Sequence, residues 1–269
     1  MVEEISIKKI LTTKRPEKRL TFFYHRRKGR GRSGRITTRH KGGGEKKLYR
    51  LIDFDQRKLN ISGKVISLEN DPFRNGFIAL IEYQDKDRGY ILAPQNLKVG
   101  DEIIAAEKAE LKPANRIKLK NIPVGTAVYN VELMPGRGGV LVRSAGTTAT
   151  VLSQGESLID LQMPSSEIRR VSAECYASIG SVSHPEYRFI NRGKAGTTRH
   201  MGIKPTVRGS VMNPVDHPHG GGEGRTGIGM PYPKTPWGKH ALGVKTRQRR
   251  KWTTKFIIER RKKKTKGKK

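Results

Sequence analysis

The sequence is short of cysteine and of long apolar runs, and each shortage excludes a class of protein. A single cysteine, Cys175, rules out an intramolecular disulfide and a cysteine-based zinc site, so we expect it to be a small core side chain. No apolar run approaches the roughly 20 residues of a membrane-spanning helix, and Phe77–Ile81 is typical of the longest. The beginning of the sequence has Glu3 and Glu4 and no apolar stretch, so we expect no signal peptide.

Acidic residues are also scarce. The 269 residues include 24 Asp and Glu against 56 Lys and Arg, which gives a formal net charge of +32 and an isoelectric point near 10.6. Repulsion among so many like charges opposes a compact state, so we expect a polyanion as the partner. Hydrophobic residues make up 34% and aromatic residues 6% of the chain, which argues against one fully compact globule.

The basic residues are concentrated at the two ends of the chain. Residues 1–45 contain 14 Lys and Arg against 4 Asp and Glu, and residues 199–269 contain 20 against 3. Residues 46–120 contain 15 against 11, and residues 121–198 contain 7 against 6. This distribution predicts a globular middle flanked by two basic arms that bind nucleic acid.

Residues 46–120 consist of short β-prone runs separated by turn sequences. The runs are Leu51–Phe54, Gly63–Leu68, Gly76–Tyr83, Gly89–Leu92 and Asp101–Ala105. Glu69–Pro72 and Gln84–Arg88 have the composition of turns. Strands at a spacing of roughly 8–12 residues, with no long helical period, predict a small barrel.

Residues 121–198 have the same character. Their runs are Thr126–Leu133, Val140–Arg143, Thr148–Leu152, Leu158–Met163, Ile168–Val171 and Tyr176–Ile179. Leu158–Met163 alternates around Ile159, Leu161 and Met163, as a half-buried strand should. The predicted fold is therefore all-β, with two small barrels in tandem and long basic, irregular N- and C-terminal extensions.

The two extensions lack apolar periodicity. Residues 1–45 interleave Arg with Gly, and we predict an RNA-binding arm that is disordered alone and ordered by its partner. Residues 199–269 are rich in Gly, Pro, Lys and Arg, and we predict a second arm with one short ordered element at Phe256–Arg261. Within this arm, residues 207–225 are too dense in Pro and Gly for a helix or strand, which is typical of a segment shaped to a partner surface.

Two motifs could indicate chemistry. Gly29–Gly34 matches the pattern GxGxxG but lacks the strand and helix of a dinucleotide fold, so we interpret it as a flexible phosphate-binding segment. Asp216–His219 could ligate a metal, or His217 could shuttle a proton while Asp216 fixes its tautomer. No other cluster supplies further metal ligands, so we favour imidazoles that hydrogen-bond or stack on RNA. We predict no catalytic residue, metal site, cofactor or small-molecule substrate.

Nine motifs follow one another in a fixed order along the chain. They are Gly34–Gly44, Tyr49–Arg50, Tyr90–Pro94, Asn121–Gly125, Arg143–Thr147, Gly193–Gly196, Lys204–Gly209, Met212–Arg225 and Thr235–Gly238. In this order they resemble the bacterial-type L2 family of large-subunit ribosomal proteins. The sequence departs from the family pattern at Glu45, where His or Arg is common, at the turn Gly180–His184, and at His200, where Trp is usual.

The resemblance implies an OB-like barrel at 46–120, an SH3-like barrel at 121–198 and arms threaded into large-subunit ribosomal RNA. It further implies contacts with neighbouring ribosomal proteins and the small subunit, support of subunit association and tRNA binding, and a place near the peptidyl-transferase centre. His217 is the family histidine discussed in connection with peptide-bond formation, and we interpret it as supportive. The implied location is the ribosome in the bacterial cytoplasm, or in the plastid stroma for a plastid-encoded chain.

We expect nine residues to contact RNA, because they combine the basic composition of the arms with the family motifs. They are Arg35, Arg39, Lys41, Arg143, Lys204, Arg208, His217, His219 and Arg225. Two other hypotheses stay open on the sequence alone. A metal- or histidine-dependent enzyme acting on RNA would lose turnover in His217→Ala with RNA affinity intact, and an architectural DNA-binding protein would bind duplex DNA as tightly as structured RNA.

Overall fold

The computed structural model describes residues 10–12, 15–248 and 250–261. Within them the protein is nearly all-β, as predicted, and Ala195–His200 forms a short regular helix, α1. The strands are β1 (Thr21–Phe23), β2 (Leu48–Arg50), β3 (Ser62–Glu69), β4 (Ile78–Tyr83), β5 (Arg88–Leu92), β6 (Glu102–Ala106), β7 (Arg116–Lys118), β8 (Ala127–Tyr129), β9 (Val131–Glu132), β10 (Gly139–Leu141), β11 (Ala149–Gln154), β12 (Leu158–Gln162), β13 (Ile168–Ser172), β14 (Tyr176–Ile179) and β15 (Ile257–Glu259). Short 3-10 helices lie at Lys18–Leu20, Leu119–Asn121, Pro185–Phe189, Gly209–Val211 and Trp252–Phe256. No helix in these ranges is long and apolar enough to cross a membrane.

The first, OB-like barrel is built on β3, β4, β5 and β6. Strand β4 pairs antiparallel with β3 and β5, and β3 pairs antiparallel with β6. Strand β4 is apolar on both faces. Ala79 and Ile81 pack in the barrel core, whereas Ile78 and Leu80 form a second apolar cluster on the other face, which Leu20 covers. A strand covered on both sides needs a continuous apolar run, which the sequence supplies here.

The second, SH3-like barrel contains β8 and β11 to β14. Strand β11 pairs antiparallel with β8 and β12, and β12 pairs antiparallel with β13. The predicted alternation of β12 is confirmed, because Ile159 and Leu161 are fully buried while Leu158 and Gln162 are exposed. Cys175 is buried in the same core, and this burial raises the pKa of its thiol to about 12.

Strand β7 connects the two barrels. It pairs parallel with β6 and antiparallel with β14, so that both barrels share one sheet of 11 strands. Ile117 and Leu119 lie before the predicted boundary at residue 120, yet they pack in the core of the second barrel. The domain boundary itself stays a prediction.

The buried Arg116 guanidinium donates to the Asn130 carbonyl at 2.9 Å and to Glu132 Oε1 at 2.9 Å.

Some short elements differ from the sequence prediction. Leu51–Phe54 forms a single-residue bridge between Ile52 and Tyr90 rather than a strand. Strands β1, β2 and β7 were not predicted, because each has three residues and no apolar alternation. The short element expected at Phe256–Arg261 is present as β15, which pairs with β13.

The chain divides into two compact units. The barrel unit comprises Met1–Tyr24, Lys47–Ile190 and Thr253–Lys269, and the arm unit comprises His25–Lys46 and Asn191–Trp252. The sequence predicts two separate arms at 1–45 and 199–269. The structure instead joins most of both into one unit, because backbone groups near residue 42 hydrogen-bond to backbone groups near residue 202.

Candidate nucleic-acid interface

The structure distributes the nine predicted RNA-binding residues between the two units. Arg143 lies in the barrel unit and the other eight lie in the arm unit. Sequence position could not show this grouping, because the eight come from both ends of the chain. Whether each side chain contacts RNA stays a prediction, but the structure shows the contacts that hold several of them in place.

A backbone pairing brings the two arms together. The Gly42 N–H donates to the Gly202 carbonyl at 2.9 Å, and the Lys204 N–H donates to the His40 carbonyl at 3.0 Å. Lys41 forms a β-bridge with Ile203 in the same segment. Three predicted cations, Arg39, Lys41 and Lys204, are therefore carried on adjacent stretches of chain.

Gly44 makes this pairing possible. Its φ is +82°, and a Cβ at this position would lie 2.8 Å from the Cα and the N of Gly202. A side chain would both strain the backbone and overlap the partner segment. The last glycine of the triplet, Gly44, is therefore required because this position has no room for a side chain.

Arg39 and Trp237 connect the two arms through their side chains. The Arg39 guanidinium carbon lies 5.2 Å from the centroid of the Trp237 ring, within the range of a cation–π contact. Trp237 is 72% exposed. Both side chains are therefore held in a defined arrangement while they stay open to a partner.

Six predicted cations of the arm unit are exposed and have no acidic partner. Within the described ranges none of them forms an ion pair. They are Arg35, Arg39, Lys41, Lys204, Arg208 and Arg225. The arm unit contains 22 Lys and Arg against 3 Asp and Glu, so its own carboxylates cannot neutralise it.

His217 differs from the expectation that it faces RNA. Its side chain is 7% exposed and packs so closely on Gly209 that a Cβ there would lie 2.4 Å from His217 Nδ1. His217 Nδ1 accepts a hydrogen bond from the His219 N–H at 3.0 Å. His219 Nε2 in turn accepts from the Lys234 N–H at 2.8 Å. The two imidazoles hold the loop in shape, and direct contact of either with RNA stays a prediction.

The same geometry bears on the possible chemistry of Asp216–His219. In the described part of the chain, the Asp216 carboxylate makes no hydrogen bond to His217, so a backbone N–H rather than a carboxylate selects the His217 tautomer. No group of three or more His, Cys, Asp or Glu side chains among the described residues could hold a metal ion. The arrangement therefore lacks the base-orienting contact that a proton shuttle needs.

Arg143 occupies a different environment on the barrel unit. Its guanidinium carbon lies 3.9 Å from the centroid of the Phe54 ring, and its Nε is buried without a hydrogen-bond partner. Burial lowers the pKa of Arg143, and the neighbouring positive charge of Arg74 lowers it further. Arg143 forms no ion pair within the described residues. The site thus places Arg143 beside Arg74, and Arg143 has no ion-pair partner of its own there.

The backbone before Arg143 is strained. Val142 has a φ of +55°, an unfavourable conformation for a β-branched residue. Its carbonyl accepts a hydrogen bond from the Asn130 N–H at 2.8 Å, which holds the turn. Arg143 belongs to a sequence motif, but Phe54 and Arg74 carry no signal that predicts this site. Arg74 follows a turn sequence, and no sequence pattern places it near Arg143.

Two departures from the family pattern lie together in the arm unit. His200 Nδ1 is 3.3 Å from Glu45 Oε1, and the Glu45 N–H donates to the His200 carbonyl at 3.0 Å. Both side chains are exposed, so the ion pair stabilises the protein little.

Two family models match the chain. Residues 17–105 match the model described as "Ribosomal Proteins L2, RNA binding N-terminal domain", and residues 112–238 match the model described as "Ribosomal Proteins L2, C-terminal domain". The matched residues make up well over half of the sequence. They include Arg143 and all eight predicted RNA-binding residues of the arm unit.

Proposed function

Since the chain belongs to the ribosomal protein L2 family, whose members are RNA-binding structural constituents of the ribosome, we propose that it binds large-subunit ribosomal RNA and helps to organise the peptidyl-transferase centre. In this role it supports subunit association and tRNA binding without itself being catalytic. Its further partners are neighbouring ribosomal proteins and the small subunit. The ribosome in question is that of the bacterial cytoplasm or, for a plastid-encoded chain, of the plastid stroma.

The observation that carries this proposal is the set of cations without acidic partners. Six of them are exposed on the arm unit, and Arg143 is half-buried over Phe54 on the barrel unit. Phosphates neutralise such cations and release counterions, which gives affinity that falls steeply with salt.

Arg143 supports the proposal most sharply. A guanidinium that loses water beside Arg74 is destabilised in the free protein, as the lowered pKa of Arg143 indicates. A phosphate placed between two arginines would reverse both effects, because it supplies acceptors and negative charge at once. Arg74 already has Asp71 as an ion-pair partner, so Arg143 is the guanidinium that lacks a negatively charged partner.

His217 supports a structural role rather than chemistry. It is buried and accepts a hydrogen bond from the next histidine's backbone, so it positions the loop from Asn213 to Gly222. The loop then presents exposed Val215 and Asp216 to a partner. We assign His217 as a positioning residue whose effect on peptide transfer is indirect.

Sedimentation of the tagged protein from its own cell lysate tests the proposal. We expect co-migration with the large subunit on a sucrose gradient before and after a high-salt wash, because arms enclosed by RNA resist screening. Purified protein should also prefer transcribed large-subunit RNA to duplex DNA of equal length at physiological salt. Release by the wash together with equal affinity for both nucleic acids would contradict the proposal and favour an architectural DNA-binding protein.

Reconstituted large subunits carrying His217→Ala or His217→Asn test the role of the histidine. We expect the Ala variant to assemble poorly and the Asn variant to assemble better, because the Asn side chain can still accept the His219 N–H. Particles that do assemble should form peptide bonds at nearly the wild-type rate with either variant. A large loss of rate in fully assembled Asn particles would show that the imidazole takes part in the chemistry.

A further inference from the structure

We propose that an aromatic platform on the barrel unit, formed by Phe22, Tyr24, Tyr49 and Phe73, binds the base of an unpaired nucleotide of RNA. The platform lies beside Arg74, which links it to the Arg143 site. The inference rests on the proposed function, because the nucleotide would belong to the RNA that the protein binds.

The platform is a continuous group of rings from three chain segments. The Phe22 and Tyr49 centroids are 5.2 Å apart, and those of Tyr49 and Phe73 are also 5.2 Å apart. Tyr24 lies 5.9 Å from Tyr49 and 6.1 Å from Phe73. Strand register explains the first contact, since Phe22 is paired directly with Tyr49 across β1 and β2.

Part of this cluster is structural packing. Tyr49 and Phe73 are half-buried, and they attach the two-stranded ribbon of β1 and β2 to the turn after β3. This packing does not account for Phe22 and Tyr24, which stay 41% and 50% exposed at the outer edge of the cluster. The two rings are held in place by the packed Tyr49 and Phe73 and remain open to solvent. They therefore form a surface on which a planar group such as a nucleobase can stack.

The surroundings favour a nucleotide over an apolar protein segment. The Arg74 guanidinium carbon lies 5.0 Å from the Tyr49 centroid and 5.5 Å from the Phe54 centroid, and Arg143 lies 3.9 Å from Phe54. Arg74 Nη2 also donates to the Tyr49 hydroxyl at 2.7 Å. A base on the rings would thus have its phosphate near two guanidinium groups, which matches the charge of a nucleotide and not that of an apolar side chain.

The opposite face of the same ribbon provides a matched control. Phe23 pairs with Leu48 across the ribbon and is 60% exposed, but it has no ring neighbour in the described structure. It resembles Phe22 in residue type, strand and exposure, and differs in facing away from Arg74. A contact that depends on the platform should distinguish Phe22 from Phe23.

The test compares the full-length F22L/Y24L variant with F23L, using transcribed large-subunit RNA as the probe. Leucine keeps the apolar packing but removes the ring face. We expect F22L/Y24L to bind about tenfold more weakly than wild type, with an unchanged salt slope because no charge is lost, and F23L to bind like wild type. Equal affinity of the two variants for the RNA would overturn the inference. A platform that binds a protein segment rather than RNA would give this result.

Photochemical crosslinking gives a second measurement that needs no destabilising change. Short-wave ultraviolet irradiation of the wild-type complex should crosslink Tyr24 to an unpaired nucleotide, as mass spectrometry of the digested complex would show. If F22L/Y24L fails to fold, Y24L alone and this crosslink decide the question. Wild-type protein that does not prefer the RNA to duplex DNA would refute the proposed function, whereas normal wild-type preference with no platform effect and no crosslink would refute the platform alone.

Discussion

The barrel unit and the arm unit are stabilised in different ways. All buried apolar core side chains within the described residues belong to the barrel unit, and none lies at 25–46 or 191–252. The barrel unit has 34 Lys and Arg with 21 Asp and Glu, whereas the arm unit has 22 with 3. The barrel unit offsets more than half of its positive charges with its own carboxylates and buries apolar surface. The arm unit relies on backbone hydrogen bonds, and most of its positive charge has no acidic counterpart within the unit.

One ion pair in the barrel unit is almost fully buried, because its two charges compensate each other. The Arg116 and Glu132 side chains are almost fully buried and form an ion pair at 2.9 Å. Glu132 Oε2 also accepts from the Tyr176 N–H at 3.0 Å and from the Gly136 N–H at 3.2 Å. In the arm unit the buried polar group is instead the imidazole of His217. The barrel unit therefore contains a fully buried ion pair, whereas the arm unit keeps its charged side chains near the surface.

Among the tests of this comparison, we expect removal of the Glu132 carboxylate to change the free energy of unfolding the most. Glu132→Ala leaves Arg116 buried without a counter-charge, so we expect the free energy of unfolding to fall by about 3–5 kcal/mol. Urea unfolding measures this change. Glu110→Gln removes a carboxylate from an exposed ion pair with Lys112 and should leave the midpoint nearly unchanged. A similar midpoint for both variants would mean that the internal compensation of the barrel unit has little importance.

Two glycine substitutions test the close pairing of the two arms within the arm unit. Gly34 and Gly44 have φ of +77° and +82°, but only Gly44 would place a Cβ against another segment, since nothing lies within 4 Å of the Gly34 position. We expect Gly34→Ala to cost about 1 kcal/mol and Gly44→Ala about 2–4 kcal/mol of local stability in the arm unit. Hydrogen exchange of residues 25–46 measures the loss. Equal loosening by both substitutions would count against the close pairing with Gly202.

Arg143 tests whether an unpaired cation in the barrel unit serves RNA. Arg143→Gln should weaken binding of large-subunit RNA about tenfold and reduce the salt slope by about 1, while protein stability stays the same or rises because repulsion with Arg74 is removed. Arg170, which already pairs with Asp160 at 3.0 Å, provides the control variant Arg170→Gln, with a smaller loss of affinity. Destabilisation by Arg143→Gln without loss of affinity would make Arg143 a purely structural residue.

The smallest expected effect concerns Glu69 and the pH dependence of the barrel unit. Burial raises the pKa of Glu69, against the opposing hydrogen bonds from Tyr90 and Ser67 and the charge of Arg50. The folded state therefore holds this proton more tightly than the unfolded state, so the contribution of Glu69 to stability declines as pH rises from about 4.3 through the raised value. Glu69→Gln should flatten this decline in unfolding experiments at several pH values. An unchanged pH profile would show that the surrounding hydrogen bonds compensate fully.

The sequence predicted the barrels better than the arms. Strong alternation or a continuous apolar run located β12 and β4 within one or two residues. Short ribbons such as β1 and β2 escaped prediction, because three residues carry no period and their pairing joins segments that are far apart in sequence. The aromatic platform could not be predicted for the same reason, because its four aromatic residues come from segments that are far apart in the sequence.

The sequence by itself determined the all-β class, the family, the basic ends and the residue types that can bind phosphate, because these depend on composition and local pattern. Only the tertiary structure decided that both arms join in one unit, that His217 turns inward and that Arg143 lies over Phe54 beside Arg74. These outcomes depend on contacts between distant segments, which local preferences do not encode. A histidine in a glycine-rich loop can face either way, and the packing against Gly209 selects one of them.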